Sequence, residues 1–481
     1  MNQREVLKKK VASGALVLGV KRILIQGIFW LSNIFLARLL FPSDFGVWGI
    51  IVYVGTILLV FSDLGMVPAL IQKKEKLQED DVQTAFTFQL ILALILVTVM
   101  FLISGPIANF YNLGESGQFL MVIYSLLFVV GPFRQIPAAI LERNLDYKRL
   151  VAVELATLVV SSLSTVSLAF LKFGVASFVL GLIIGQITAA GLYFLISPWP
   201  VGLFFSKRHF LNLGKFGAPF QLNMIMGLFY GPLILLYLGK IVGSVNLGFY
   251  QFAASIAVFP LATAEIVNRI VFPLGSRIQQ DKIFFRKIIE RSVTIVSILS
   301  LPVILAMLSA AREIVHFIYT DRWLAALPAI YIGLLQIGIM AYSGVFAQLL
   351  LARGQAGVIR NMGIVFAILT WILGPPLIGL FNFVGMSMAG FLISASGIWL
   401  IFRLRREVEF AFWENFYPYL ISALASGLLI LVVNNLLPKQ ILSLIFALIC
   451  GAVFYWGLLI VWRGRVLLEN FKALVLALVK S

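Results

Sequence analysis

The sequence predicts an all-α integral membrane protein, and two observations carry that prediction. Of the 481 residues, 61% are hydrophobic and only 12% are charged, whereas charged residues make up about 25% of an ordinary soluble domain. The apolar residues also fall in runs of about 20, which is long enough for a helix to cross about 30 Å of hydrocarbon. The chain therefore belongs in a bilayer.

Hydropathy places fourteen transmembrane helices along the chain. They are predicted at 12–39, 46–71, 84–110, 117–140, 151–171, 175–196, 211–237, 247–272, 288–311, 325–351, 358–380, 383–402, 414–436 and 441–462. Every connecting loop is short, so we expect the function to lie within the helical bundle rather than in an extramembrane domain.

The loops between these spans alternate in charge. Counting both termini and the span ends, 26 Lys and Arg fall on one side and six on the other, which leaves five within the spans. The six are Arg38, Lys172, Lys240, Arg312, Arg322 and Lys439. By the positive-inside rule, both termini are cytoplasmic and the protein is a multi-pass protein of the plasma (inner) membrane. Membrane topology thus accounts for the net charge of +17 without a nucleic-acid partner.

Two stretches of the chain align without gaps, ARLLFPSDFGVW at 37–48 and GKIVGSVNLGFY at 239–250. The aligned pairs include Arg38 with Lys240, Asp44 with Asn246, Gly46 with Gly248, and Trp48 with Tyr250. At the same offset of 202 residues, Asp63 meets Glu265. Spans 1–6 and 7–12 are therefore predicted to be two copies of one six-helix unit. Because six is even, both copies insert in the same orientation as parallel repeats, which favours a transporter with a central cavity between two lobes.

The predicted domains follow from this duplication. An N-lobe at 1–205 holds spans 1–6, a C-lobe at 206–403 holds spans 7–12, and the segment 404–481 adds two extra C-terminal helices and a tail. The tail from Arg463 mixes basic residues with leucine and valine, as a cytoplasmic amphipathic helix would. A plain extension of the last span fits the same pattern equally well.

Polar side chains inside the predicted spans are the candidate functional residues. A charge at the bilayer centre costs about 2.5–3.5 kcal/mol, so it usually faces a cavity or a partner. At 100° per residue, Arg22, Gln26 and Asn33 fall within about 40° of one another, whereas Lys21 points about 100° away. This polar stripe predicts that one face of span 1 lines a water-filled cavity.

The functional interpretation places that cavity between spans 1, 2, 7 and 8. The substrate-binding candidates are Lys21, Arg22, Gln26, Asn33, Lys215 and Arg269. The ion-coupling candidates are Asp63 and Glu265. The alternative is structural: an i,i+4 ion pair of Glu265 with Arg269, a pair of Asp63 with Lys21 or Arg22, and a Lys215 that snorkels to the interface.

Several segments carry a resemblance to a known family. FLARLLFPSDFGVWGI at 35–50 and FSDLGMVPALIQ at 61–72 resemble the polysaccharide flippases of the Wzx type. Further similar segments lie at 134–150, 245–253 and 319–328. The resemblance implies the fold of the multidrug/oligosaccharidyl-lipid/polysaccharide superfamily, which includes lipid II flippases and MATE drug antiporters. It also implies the substrate, an oligosaccharide on polyprenyl pyrophosphate that moves from the cytoplasmic to the outer leaflet.

Other functions share parts of this pattern. A MATE-like ion-coupled efflux transporter would have the same fold but an acidic cavity, and the mid-membrane charges here have a slight basic excess. A membrane polysaccharide polymerase or ligase usually needs a large extracytoplasmic loop or a catalytic carboxylate motif, and neither occurs in the sequence. A structural scaffold for a polysaccharide synthesis complex is a further alternative.

The expected partners follow from the flippase interpretation. They are the lipid-linked oligosaccharide, the bilayer, and a polysaccharide polymerase with glycosyltransferases. One cysteine and two histidines leave too few ligands for a His/Cys metal site. We therefore expect a monomer that is not an enzyme and has no cofactor, with coupling to Na⁺ or H⁺ left open.

Overall fold

The computed structural model describes residues 24–73 and 75–480, without the side chains of 215–220, 222–223, 266, 269 and 465–480. Within these residues the chain forms helices joined by turns, and no strand occurs among them. The chain separates into two compact units, of which the first ends at Gly248 and the second runs from Phe249 to Val479.

The first unit contains nine helices and the start of a tenth among its described residues. They are α1 (Leu24–Leu39), α2 (Pro42–Val60), α3 (Met66–Gln72), α4 (Glu79–Tyr111), α5 (Gly114–Tyr124), α6 (Leu126–Arg143), α7 (Tyr147–Phe170), α8 (Ala176–Ile196), α9 (Lys207–Tyr230) and α10 (Pro232–Ala257). Pro42 begins α2 because a proline at the first helical position loses no intrahelical hydrogen bond.

The second unit continues with eight further helices. They are α11 (Leu261–Arg277), α12 (Lys282–Ile314), α13 (Leu327–Ala352), α14 (Ala356–Phe381), α15 (Phe383–Ser396), α16 (Trp399–Arg405), α17 (Tyr417–Leu436) and α18 (Ile441–Lys480). One apolar core of this unit packs α11, α12 and α13 around side chains such as Phe285 and Phe346, both fully buried. The backbone of α18 leaves helical geometry at Arg463, where the predicted tail begins. The amphipathic character of that tail stays a prediction.

Twelve helical segments among the described residues are long and apolar enough to cross a membrane. The predicted class, an all-helical multi-span membrane protein, is thereby confirmed, while the count of fourteen stays a prediction. The first predicted span begins outside the described residues, and only the shorter apolar helix α1 is described there. The eighth predicted span, 247–272, falls on the second part of α10, which follows the break at Gly243 and ends at Ala257, and on α11.

Gly46 on α2 and Gly248 on α10 lie against each other's helices. A Cβ atom on Gly46 would lie 1.7 Å from the carbonyl oxygen of Ser244, and one on Gly248 would lie 1.8 Å from that of Pro42. Ser244 follows Pro42 by the same 202 residues that separate the two glycines. The contact is therefore reciprocal, and only glycine leaves room for the backbones to approach this closely.

The first unit extends past residue 205 because α9 and α10 are bonded to α4. The Tyr111 hydroxyl donates to the carbonyl oxygen of Leu236 at 3.1 Å. The Lys240 ammonium donates to the carbonyl oxygen of Phe110 at 2.7 Å and lies 4.0 Å from the centre of its ring. The division into domains at 1–205, 206–403 and 404–481 stays a prediction.

Candidate functional site

The second predicted span, 46–71, is interrupted in its C-terminal half. Helix α2 ends at Val60 and α3 begins at Met66, and both Leu64 (φ 44°) and Gly65 (φ 82°) adopt left-handed backbone conformations between them. Irregular backbone at membrane depth persists only where protein groups or a wet cavity replace the lost helical hydrogen bonds. Interrupted helices of this kind form the substrate and ion sites of many transporters.

Asp63 lies within this interruption and is held by two donors. Its Oδ1 accepts a hydrogen bond from the backbone N–H of Val67 at 2.9 Å. The same oxygen accepts a hydrogen bond from Nε2 of Gln89 on α4. A carboxylate at this position satisfies a free N–H group in the first turn of α3 and interacts favourably with the helix dipole. Asp63 therefore fixes the start of α3 and links it to α4.

Gln89 is the second residue of this site. It is 1% exposed, and its Oε1 atom is buried with no hydrogen-bond partner among the described residues. A buried, unsatisfied carbonyl costs about 1–3 kcal/mol. The Gln89 side chain is therefore buried at a cost in stability, because only its nitrogen is hydrogen bonded, to Asp63.

Helix α9 also contacts the interruption. The side-chain nitrogen of Gln221 donates to the carbonyl oxygen of Val60, the last residue of α2, at 2.6 Å. The Ser62 hydroxyl donates to the carbonyl oxygen of Leu59 at 2.8 Å. These bonds satisfy carbonyls at the end of α2, where intrahelical partners run out. The site therefore combines α2, α3, α4 and α9, all within the first unit.

The predicted polar stripe on span 1 is described in part. Lys21 and Arg22 lie outside the described residues. Gln26 and Asn33 both lie on α1 and are half-buried, and the side-chain oxygen of Asn33 is buried without a hydrogen-bond partner among the described residues. Whether these four side chains bind substrate stays a prediction.

The remaining predicted residues lie on α9 and α11. The backbone of Lys215 is within α9 and that of Arg269 is within α11, but neither side chain is among those that the structure describes. Glu265 is half-buried on α11, in the second unit, whereas Asp63 belongs to the first. The ion-coupling roles of both acids stay predictions.

A polar contact accompanies Glu265 on α11. The Thr263 hydroxyl lies 2.7 Å from that of Ser300 on α12, so the two are hydrogen bonded. The side-chain oxygen of Asn268 is buried without a hydrogen-bond partner among the described residues. Polar side chains of α11 therefore lie within the second unit both before and after Glu265 in the chain.

Sequence analysis missed Gln89 and Gln221. It selected ionisable residues within spans, together with the polar side chains that share a helical face with them. A neutral amide in an apolar helix was the available signal, since such groups also need a partner in hydrocarbon. The pairing with Asp63 and with Val60 depends on tertiary packing that spacing along the chain does not encode.

A second polar cluster fixes the start of α9 to α4. Asp81, 1% exposed, lies 2.6 Å from the Lys73 ammonium and 2.7 Å from Nδ1 of His209. It also accepts from the backbone N–H of Gln78 at 3.0 Å. Nearby, the N–H of Phe204 donates to the Thr87 hydroxyl at 3.0 Å. Hydrogen bonds therefore attach the connection between α8 and α9 to the first turns of α4.

Among the described residues, no group of three His, Cys, Asp or Glu side chains is placed to hold a metal ion. The chemistry of the interruption is instead that of carboxylate, amide and backbone carbonyl oxygens. An interrupted helix with buried polar groups inside a multi-span bundle is typical of membrane transporters.

The chain belongs to the polysaccharide biosynthesis protein family, whose family model matches residues 35–328, more than half of the chain. A relative is the lipopolysaccharide biosynthesis protein WzxC of Escherichia coli K12, 24% identical over 356 residues, or 73% of this chain and 72% of the relative. The succinoglycan biosynthesis transport protein ExoT of Rhizobium meliloti is 22% identical over 92% of this chain and 91% of its own length. The predicted relationship to Wzx-type proteins is confirmed.

Solved structures show the same fold. The lipid II flippase MurJ, in an inward closed conformation, superposes with a TM-score of 0.77 at 15% identity, covering 94% of this chain and 99% of its own. A multidrug resistance MATE family transporter of the MOP superfamily, in an inward-facing conformation, has a TM-score of 0.58 at 13% identity, covering 81% and 98%. The protein is therefore a helical membrane protein of a polysaccharide biosynthesis family with the fold of the MOP superfamily transporters.

Proposed function

We propose that the protein is a flippase that moves an oligosaccharide linked to polyprenyl pyrophosphate from the cytoplasmic to the outer leaflet. The transported unit would serve the synthesis of a surface polysaccharide, such as an O-antigen, an exopolysaccharide or a capsule. The observation that carries the proposal is the match to the polysaccharide biosynthesis protein family over residues 35–328. The fold shared with a lipid II flippase over 94% of the chain is consistent with it.

The proposed binding site uses the polar face of span 1. Arg22, with Lys21 or Lys215, would supply the cationic donors that a pyrophosphate requires. Gln26 and Asn33 would bond to sugar hydroxyls, and Arg269 would add a cation from α11. The buried oxygen of Asn33 supports this assignment, because a polar ligand or water would satisfy it.

The proposed mechanism is alternating access between two parallel six-helix repeats. The reciprocal contact of Gly46 and Gly248 supports the duplication, because it repeats with the offset of 202 residues found in the sequence. The central cavity between the lobes is part of this proposal. Bending at interrupted helices such as α2–α3 would let one repeat move relative to the other.

Asp63 and Glu265 are the proposed coupling residues for Na⁺ or H⁺. The hydrogen bonds to Asp63 support a role as a fixed carboxylate. A cation or a proton could neutralise this carboxylate by replacing the hydrogen bond from the Gln89 amide. The structural alternative is that Asp63 only caps α3. Its bond to Val67 favours that role as well, so the two must be separated by experiment.

The proposed orientation has both termini in the cytoplasm and the basic loops on that side of the inner membrane. The lipid-linked oligosaccharide would enter from the leaflet in which glycosyltransferases assemble it, and a polymerase would act after its release. We propose that the protein works as a monomer.

A MATE-like efflux function is the main alternative, since a MATE transporter shares the fold. Fold alone does not separate the two functions. The family match and the names of the two sequence relatives favour polysaccharide export. A polymerase or ligase function has no corresponding support among these relatives.

Deletion of the gene in its own host tests the proposal. We expect loss of surface polysaccharide and accumulation of a lipid-linked oligosaccharide in the membrane, both reversed by the wild-type gene. A mutant with normal surface polysaccharide and increased sensitivity to cationic drugs would support efflux instead.

A further inference from the structure

A groove lies between the ends of α1 and α7 in the first unit. Its volume is about 650 Å³, within the range of about 300–1,000 Å³ that small-molecule sites occupy. Its wall includes side chains from the end of α1 and the end of α7, namely Phe35, Arg38, Leu39, Ser167, Phe170 and Leu171. This groove shares no residue with the interruption at Asp63.

The apolar wall of this groove faces outwards. Phe35 is 53% exposed, Phe170 is 74% exposed and Leu171 is 65% exposed. In a chain of the polysaccharide biosynthesis family with this many apolar spans, such side chains face the hydrocarbon of the bilayer rather than water. An acyl chain is therefore the matching contact for this wall.

The polar end of the groove is cationic. Arg38 is exposed in the last turn of α1 and is the one charged residue that lines the described groove, while the exposed Lys172 directly follows its last lining residue. Both belong to the six basic residues that the charge pattern assigns to the extracytoplasmic side. A guanidinium at the interface next to an apolar wall fits a lipid phosphate above an acyl chain.

We propose that this groove binds one anionic glycerophospholipid of the outer leaflet, with its phosphate at Arg38 and one acyl chain against Phe35, Phe170 and Leu171. The assignment of the groove to the outer leaflet depends on the membrane orientation given under the proposed function. The charged residues near the polar end are Arg38, Lys172 and Asp44, whose carboxylate lies 3.8 Å from the Cβ position of Gly174. Because they carry a net positive charge, an anionic lipid is favoured over a zwitterionic one. The bound lipid would hold α1 and α7 together at their outer ends.

Native mass spectrometry of the full-length, delipidated protein tests the proposal. The probes are phosphatidylglycerol and phosphatidylcholine with identical acyl chains, added at equal concentration. We expect one phosphatidylglycerol to bind preferentially, and Arg38→Gln to reduce its occupancy about fivefold, the effect of losing about 1 kcal/mol of interfacial charge attraction. Ser167→Trp fills the groove without changing its charge and should reduce the occupancy of both lipids.

Two variants serve as matched controls. Arg208→Gln removes an equal charge from an exposed position at the start of α9, and Leu195→Trp adds an indole at a position on α8 that is 75% exposed. Both should bind lipid as the wild type does. Thermal unfolding without added lipid identifies any variant that is misfolded, and Arg38→Lys should then retain most of the binding.

Three results would overturn the proposal: equal binding of the two lipids, unchanged binding in folded Ser167→Trp, or displacement of phosphatidylglycerol by an equal concentration of polyprenyl phosphate. The measurement involves no transport. Failure here therefore leaves the flippase proposal intact, and failure of the flippase proposal leaves a lipid site that this experiment still detects.

Discussion

Gln89 on α4 donates a side-chain hydrogen bond to the carboxylate of Asp63, 26 residues earlier in the chain. The same carboxylate accepts from the N–H of Val67 and so caps α3. Asp63, which the sequence alignment suggests as a coupling residue, therefore also has a structural role as the cap of α3. Asparagine at position 63 keeps an acceptor oxygen but lacks the charge, which allows the two roles to be separated.

Asp63→Asn should reduce transport and weaken its dependence on an imposed Na⁺ or H⁺ gradient, because a neutral amide cannot exchange a counter-ion during the cycle. The amount of folded protein should stay near wild type, since the cap to Val67 is retained. Reconstituted flipping with and without a gradient, normalised to folded protein, measures both. A well-folded variant with unchanged gradient dependence would leave Asp63 as a structural cap only.

Asp63→Ala is the comparison for the structural role. It removes the acceptor and leaves the Gln89 amide and the N–H of Val67 without it, at a cost of about 1–3 kcal/mol for each buried unsatisfied group. We expect a lower unfolding temperature for Asp63→Ala than for Asp63→Asn. Equal unfolding temperatures would contradict the capping role.

Gly46→Ala and Gly248→Ala should each destabilise the protein, by about 1–3 kcal/mol or more, because overpacking a tight contact forces the backbone to shift. A Cβ at either position would lie within 2 Å of a carbonyl oxygen on the other helix. Gly191→Ala is the matched control, since nothing lies within 4 Å of its Cβ position. Thermal unfolding in detergent compares the three, and a Gly46 variant as stable as the Gly191 variant would be inconsistent with the close contact.

Asp81→Ala should destabilise the first unit by about 1–3 kcal/mol, the usual effect of leaving hydrogen-bonding groups without their acceptor. It leaves the Lys73 ammonium and the His209 ring without their shared acceptor. Asp80→Ala, at the exposed neighbouring position, is the control and should have little effect. Limited proteolysis between α8 and α9 should increase only in the Asp81 variant, and equal cleavage of the two would refute the proposed attachment.

The membrane class, the approximate spans and the family were all predictable from the sequence, because hydropathy and loop charge are local properties. The alignment of Gly46 with Gly248 even identified a pair whose structural contact is reciprocal. The interruption at Asp63 was not predicted, since the residues 61–65 remain apolar enough to continue a span. Its partners Gln89 and Gln221 come from other helices, and one sequence gives no signal of which faces meet.

The predicted topology has a direct test. Tags at Lys74, Lys282 and Ser481 should report the cytoplasm, and a tag at Glu115 should report the outside, because basic loops remain on the cytoplasmic side. A substituted-cysteine labelling scan, after replacing Cys450, gives the same information with smaller perturbation. Cytoplasmic labelling at Glu115 would contradict the fourteen-span arrangement.

The central claim is that the protein moves a polyprenyl-pyrophosphate oligosaccharide and that cationic side chains on span 1 bind it. The most direct measurement reconstitutes the protein in vesicles with the labelled lipid-linked oligosaccharide and follows protection of its glycan from an added glycosidase. We predict rapid translocation by the wild type, loss of translocation in Arg22→Ala, and partial retention in Arg22→Lys, which keeps the charge. Translocation by Arg22→Ala at the wild-type rate would remove Arg22 from the site, and vesicles in which the folded wild type moves no lipid-linked glycan would contradict the account as a whole.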